Sequence, residues 1–187
     1  MHAKLFETAL GIASPWYVRD VSFDVEARTL TIVVDFTPGS RFAHPDAERL
    51  HPVHDTMNKR YRHVNFFQHE CYLEVRVPRV RLPNGSVRLV EPAWAGHLSG
   101  FTLLFEALVL TLCQQMPCAA CARLVHESWH RVAAIYERYV DLALAQADFS
   151  GVRALAIDET SRCRGHQYVT LTADAEQRAV LFVTEGK

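Results

Sequence analysis

The sequence predicts an α+β chain in three parts: a small β-rich module over residues 1–95, a helical module over 96–148 and a three-stranded meander over 149–187. Three observations carry this. Apolar residues alternate with polar ones up to Val90, the period of a half-buried strand. After Pro92, Gly96 and Gly100 the composition switches to helix formers. After Gly151 the period of two returns. The chain has 187 residues, 49 % apolar and 22 % charged, the balance of a soluble globular protein. The longest apolar runs, such as Ala107–Cys113, fall far short of the ~20 residues that span a bilayer, so no membrane role is expected. Met1–Glu7 lacks the long apolar core of a secretory signal. Five cysteines is an odd number, which favours free thiols or metal ligands in a cytosolic chain over disulfides.

Taken in order, Val18–Phe36 reads as a hairpin. Val21, Phe23 and Val25 alternate before the turn at Glu26–Arg28, and Leu30, Ile32 and Val34 after it. Thr37–Ser40 breaks it. Residues 41–56 are polar and histidine-rich, contain Pro45 and Pro52, and are expected as loops. His69–Leu82 alternates again, with Cys71, Leu73, Val75 and Val77 on one face. Pro83–Ser86 is a turn, and Val87–Val90 returns as a strand. The first helix of the next module is expected to be capped by Ser99 or Thr102. It would bury Phe101, Leu104, Phe105, Leu108 and Leu112, with Glu106 in its first turn. Pro117 ends it and opens a short second helix through Val125. His126–Ser128 is a tight turn with Ser128 as cap. Trp129–Leu144 is a third helix, its apolar stripe formed by Val132, Ile135, Tyr136, Tyr139 and Val140. This is a helix-turn-helix pattern, or a plain three-helix bundle with no ligand, which the few cations of the third helix favour on the pattern alone. Val152–Ile157 then reads as a buried strand ending at Asp158, Ser161–Gln167 as a basic turn, and Tyr168–Thr172 and Ala179–Thr184 as two further strands.

The net charge of −1 hides an uneven distribution. Residues 57–90 hold seven Lys/Arg against two Asp/Glu, interleaved with Tyr61, Phe66, Phe67 and Tyr72. That is either a phosphate-binding footprint, with Lys59, Arg60, Arg62, Arg76, Arg79 and Arg81 as its cations, or a solvated strand face. The third helix adds Trp129, His130, Arg131 and Arg138 as groups able to reach bases or phosphates. His44, His51 and His54 are candidate zinc ligands, although a second knuckle is missing and the stretch also reads as a histidine-rich surface loop. Cys118-x-x-Cys121 is a redox or zinc motif, or a pair of small core residues. Asp158 is a metal-binding carboxylate held at a strand end, or a turn cap.

The string running from Phe101 to Leu112, then Met116-Pro117 and Ala122–Val125, resembles the helix-turn-helix of bacterial insertion-sequence transposases of the ISL-three type. So do Leu155–Ser161, Arg164–Leu171 and Val180–Gly186. Phe42–Pro45, His51–Thr56 and Arg62–Glu70 resemble the zinc-finger module of that family. The resemblance implies a zinc finger, a helix-turn-helix and an RNase H-like domain that uses an Asp-Asp-Glu triad with Mg²⁺. Asp158 would be the first triad acid and a magnesium ligand. The family's cysteines would fall at His44, Ala47, His51 and Leu82, which leaves a degenerate finger. Asp174 and Glu185 do not match the other triad positions. The implied protein is an N-terminal transposase portion that binds double-stranded DNA at transposon ends, lacks strand cleavage and takes no small-molecule substrate. It would reside in the bacterial cytoplasm with the nucleoid and pair with further copies of itself. A catalytically inert regulator of transposition and a helical interaction module without DNA are the rival expectations.

Overall fold

The computed structural model describes residues 2–96, 98, 100–163 and 167–185. These form two compact units, 1–139 and 140–187. The first opens with a helix the alternation analysis did not anticipate, α1 (His2–Leu10). Its signal is the spacing of Ala3, Phe6 and Leu10, which places them on one face against the sheet core.

The sheet contains β1 (Trp16–Asp24), β2 (Thr29–Phe36), β3 (Arg41–His44), β4 (Ala47–Phe66), β5 (His69–Arg81) and β6 (Val87–Leu89). Its order is β1-β2-β5-β4-β3, with β6 on β5. Only β2 and β5 run parallel; the other pairs are antiparallel. The expected alternation of β5 holds: Cys71, Leu73, Val75 and Val77 are buried with Leu30, Ile32 and Val34 of β2. The expectation of loops over 41–56 is corrected, since β3 and the first part of β4 lie there. Pro52 is tolerated because it faces the four-residue edge strand β3, opposite Arg41, and precedes the ladder to β5, which begins at Val53 and Val80. Phe36, Phe42, Val80 and Leu82 form a second cluster, in which Trp16, Phe36 and Phe42 pack ring against ring at 5.2–5.7 Å.

Helices α2 (Leu103–Cys113), α3 (Cys118–Val125) and α4 (Trp129–Gln146) follow. Thr102 caps α2, its hydroxyl oxygen accepting from the Phe105 N–H at 3.3 Å; Ser99, the alternative cap, lies outside the described residues. Phe101, Phe105, Val109, Cys121, Ala122, Val125, Val132 and Ile135 form the core of the bundle. The expected burial of Leu104 and Leu108 is corrected: both are exposed, because α2 is apolar around its whole circumference and turns its Phe105–Val109 face inward. Tyr136, expected in the stripe of α4, is also exposed. Glu106 is fully buried, accepting from the Leu98 N–H at 3.0 Å and the Tyr139 hydroxyl at 2.7 Å. Burial, then this bond, pushes the Tyr139 phenol up to about 12. A Cβ on Gly96 would sit 2.3 Å from the Glu106 carboxylate, so glycine is required there.

The second unit contains β7 (Leu155–Cys163), β8 (Gln167–Asp174) and β9 (Ala179–Glu185), paired antiparallel in that order. Part of the expected turn over Ser161–Gln167 lies outside the described residues; Ser161 itself is in β7. The reading of Val152–Ile157 as a buried strand is corrected. The strand starts at Leu155, and Ile157 is 68 % exposed.

The hairpins β1–β2 and β8–β9 share one turn, Asp-x-Glu-x-Arg. Asp24 Oδ1 accepts from the Ala27 N–H at 2.8 Å, and Arg28 takes a left-handed φ of 50°. Asp174 Oδ1 accepts from the N–H groups of Glu176 and Gln177 at 2.8 and 3.0 Å, and Arg178 has φ 55°. An aspartate at the first position and a left-handed residue at the last close both turns.

Candidate nucleic-acid interface

The turn between α3 and α4 is built by backbone geometry. His126 adopts φ 56° and ends α3, with its N–H bonded to the Ala122 carbonyl, which also accepts from Glu127 at 3.0 Å. Ser128 starts α4, its carbonyl accepting from Arg131 and Val132 at 3.1 Å each. Trp129 and His130 stand at the exposed beginning of α4, ring to ring at 4.3 Å, with Trp129 53 % exposed. In a helix-turn-helix those first residues of the second helix are the ones that meet base edges. Arg131 is held at home: it donates to Glu127 Oε2 at 2.6 Å and lies 4.1 Å over the Phe101 ring. Arg138 is half-buried. Arg123 of α3, not anticipated as a contact, is exposed.

The cations of β4 and β5 divide into two sets. Lys59 is paired with Glu91. Arg76 donates to Asp35 Oδ1 at 2.8 Å and lies 4.4 Å over Phe36. Arg79 chelates Asp55 through Nε at 2.6 Å and Nη2, and this guanidinium holds the Asp55 carboxyl below its ordinary range. Three of the six expected cations are thus neutralised by acids from outside the basic stretch or from its border. Arg60 and Arg81 are exposed and have no carboxylate partner among the described residues. Arg60 lies 3.8 Å over the Tyr72 ring, and Arg81 hydrogen-bonds His54 at 3.1 Å. Arg19, Asn58, Lys59, Arg60, Glu74 and Arg76 line an open groove of about 430 Å³ on this face. Arg19, whose guanidinium reaches Asp35 at 3.4 Å, is a groove cation that sequence reasoning missed, because β1 lies far from the basic stretch in the chain.

Arg62 is a correction. It is 2 % exposed and is no phosphate contact. Its guanidinium donates to the carbonyls of His63 at 2.6 Å and Cys71 at 3.2 Å and to Asn65 Oδ1 at 2.7 Å. It lies between the rings of Tyr72 and Phe105, at 5.1 and 5.3 Å. Its backbone N–H donates to Gly100 and its carbonyl accepts from Thr102, at 2.8 and 3.0 Å. Arg62 therefore joins β4 to the start of α2. Beside it, the Thr102 hydroxyl and His63 Nδ1 are 2.8 Å apart. Burial, then the Arg62 charge, lowers the His63 imidazole to about 4, so the ring is neutral in the fold. From α3, His126 Nδ1 meets Glu70 Oε1 of β5 at 2.9 Å.

The zinc candidates do not converge. His44 faces Asp46 at 3.7 Å, His54 faces Arg81, and His51 Nε2 is buried with no hydrogen-bond partner among the described residues. Leu82, at one position where the resemblance calls for a cysteine, is buried in the cluster with Phe36 and Phe42. Among the described residues no group of three or more His, Cys, Asp or Glu is placed to hold a metal ion. These residues do not fit a zinc centre as they stand. Asp158 was expected at a strand end. It lies within β7 opposite Leu171 and is exposed.

Comparison with known proteins agrees with the helical geometry. Residues 91–140 match the helix-turn-helix domain of the transposase family ISL3. The chain is thus a relative of insertion-sequence transposases, and its helical segment is of the ISL3 type. It is 29 % identical over 163 residues to the transposase for insertion sequence element IS1001 of Bordetella parapertussis, covering 86 % of this chain and 40 % of that protein. It is 29 % identical over 129 residues to the transposase for IS1557 of Mycobacterium tuberculosis, covering 68 % of this chain and 29 % of that protein. The chain spans well under half the length of these relatives. No solved structure matches. No helix among the described residues is long and apolar enough to cross a membrane.

Proposed function

We propose that this chain is the DNA-recognition portion of an insertion-sequence transposase and binds double-stranded DNA at transposon ends. The observation that carries the reading is the α3–α4 turn of an ISL3-type segment, which presents Trp129 and His130 at the free end of α4. Arg60 and Arg81, with Arg123, supply the cations for backbone phosphates. The β-rich part stands in the place of a zinc finger but is held by the Phe36–Phe42–Leu82 cluster in place of a metal. Residues 149–187 are the start of an RNase H-like domain, with Asp158 as its first acid. Magnesium bound by a full set of such acids supplies activation of a water or a DNA 3′-hydroxyl for attack on phosphate. Duplex binding is the activity proposed for the residues of this chain. Self-association through the exposed meander belongs to the same reading.

Fluorescence anisotropy on duplex DNA across a salt series tests it. Binding is expected to weaken steeply with salt. Arg60→Ala with Arg81→Ala should shallow the log–log slope by about 2, roughly one per lost phosphate contact. Trp129→Ala should weaken binding without changing the slope. Added zinc should change nothing. Absence of binding at low salt, or binding indifferent to salt, overturns the proposal.

A further inference from the structure

Three cysteines meet where α2 passes into α3. Cys113 is the last residue of α2 and Cys118 the first of α3. The turn between them is fixed: the N–H groups of Gln115 and Met116 both bond the Leu112 carbonyl, at 2.9 and 3.0 Å, and the Pro117 carbonyl accepts from Ala120 and Cys121 at 2.8 and 3.1 Å. It holds the Cys113 and Cys118 sulfurs 3.7 Å apart. A disulfide needs about 2.05 Å, a closure within the reach of χ1 rotation when the backbone has already brought the residues together. Cys113 and Cys118 are half-buried, open to a small oxidant; Cys121 beside them is fully buried, and Cys71 is sealed in the sheet core.

We propose that Cys113 and Cys118 are a reversible dithiol–disulfide pair, oxidised by peroxide, that staples the α2–α3 corner of the helix-turn-helix. The two sulfurs have different roles. Cys113 donates its S–H to Cys118. Burial and its thiol neighbours push the Cys113 thiol up to about 12, so it stays protonated. Cys118 accepts that hydrogen, is the first residue of α3 and is the partly exposed sulfur that meets the oxidant first. The Cys118 thiolate attacks one peroxide oxygen. The O–O bond breaks, and a sulfenic acid forms with loss of hydroxide, which takes up a proton to leave as water. The Cys113 sulfur then attacks the Cys118 sulfur, the S–O bond breaks, and the hydroxyl departs with the Cys113 proton as a second water. In sum, two thiols give up two electrons to one peroxide, yielding a disulfide and two waters. A small thiol reductant restores the pair by exchange.

The pair does not rest on DNA binding, so the test reads thiols directly. The full chain is treated with hydrogen peroxide, its remaining thiols are alkylated, and the tryptic segment 89–123, which carries all three cysteines, is sequenced by mass spectrometry. The expected product has lost two hydrogens, with its label on Cys121 alone, and dithiothreitol reverses it. Cys121→Ser should oxidise like the wild type, and Cys118→Ser should form no bridge. The oxidised protein should melt a few degrees higher than the reduced one. A bridge between Cys118 and Cys121, irreversible sulfinic acid on Cys118, thiols untouched by peroxide, or a lower melting point on oxidation would each overturn the proposal. The mapping on wild-type protein decides the pairing even if a serine variant fails to fold.

Discussion

The six-stranded and three-stranded sheets each contain the same Asp-x-Glu-x-Arg hairpin turn, and the strands that follow it end in opposite environments. After Arg28, Leu30, Ile32 and Val34 of β2 are sealed under α1 and Trp94. After Arg178, Val180, Phe182 and Val183 of β9 remain exposed, Val183 at 59 %. Turn chemistry and alternation are enough to form and register a hairpin, but they do not supply burial. Burial needs a second layer, which the first sheet has and the meander, among the described residues, lacks. An uncovered apolar sheet face with open edges invites pairing with another chain.

The largest effect should come from the matched truncation of this comparison. Leu30→Ala should cost about 3–4 kcal/mol of unfolding free energy in urea, because it leaves a cavity in a closed core. Val183→Ala should move stability by no more than about 0.5 kcal/mol, since little is lost from a side chain already in water. Equal costs would show that the meander is covered in solution.

Next comes acid. His63 titrates near 4 in the fold and at about 6.5 in the unfolded chain. The unfolded state therefore binds the proton first. Stability is complete above about pH 6.5, declines as pH falls, and has lost about 3 kcal/mol by pH 4. His63→Gln should flatten that slope in a pH series of urea melts. Among its described residues unit 140–187 has no buried histidine, so amide exchange in the meander should not follow the same curve.

The smallest contrast lies in the two turns. Asp174 is buried and accepts two N–H bonds, whereas Asp24 is exposed and accepts one. Asp174→Ala should cost about 1–2 kcal/mol and Asp24→Ala about 0.5–1, read from local amide exchange in each hairpin. The reverse order would mean that covering layers, not turn bonds, set the strength of these hairpins.

These local features were legible in the sequence: the hairpins, the alternation of β5, the capped α2 and the tight turn before Trp129. What the sequence concealed depends on distant partners. Arg76 is answered by Asp35 and Lys59 by Glu91, each more than thirty residues away, so a local count of cations overstated the free charge. Arg62 carried the same charge in the count as Arg60, yet one is a buried joint and the other faces solvent. Nothing in the neighbouring residues distinguishes them; only the arrival of Gly100 and Thr102 at β4 does. The histidines looked like a ligand set because they are close in sequence, but β3 and β4 carry them to different partners.

The joint at Arg62 also bears on modularity. A helix-turn-helix is commonly treated as a cassette that can be cut out and grafted onto another protein. Here the graft would have to sever the backbone bonds of Arg62 to Gly100 and Thr102 and open the ring stack above Phe105. Excising the helices at the composition boundary would leave the α2 cap without its His63 neighbour and the sheet with a guanidinium bared at its edge. Helices and sheet would then be inherited together and change by substitution more readily than by exchange of the whole helical segment.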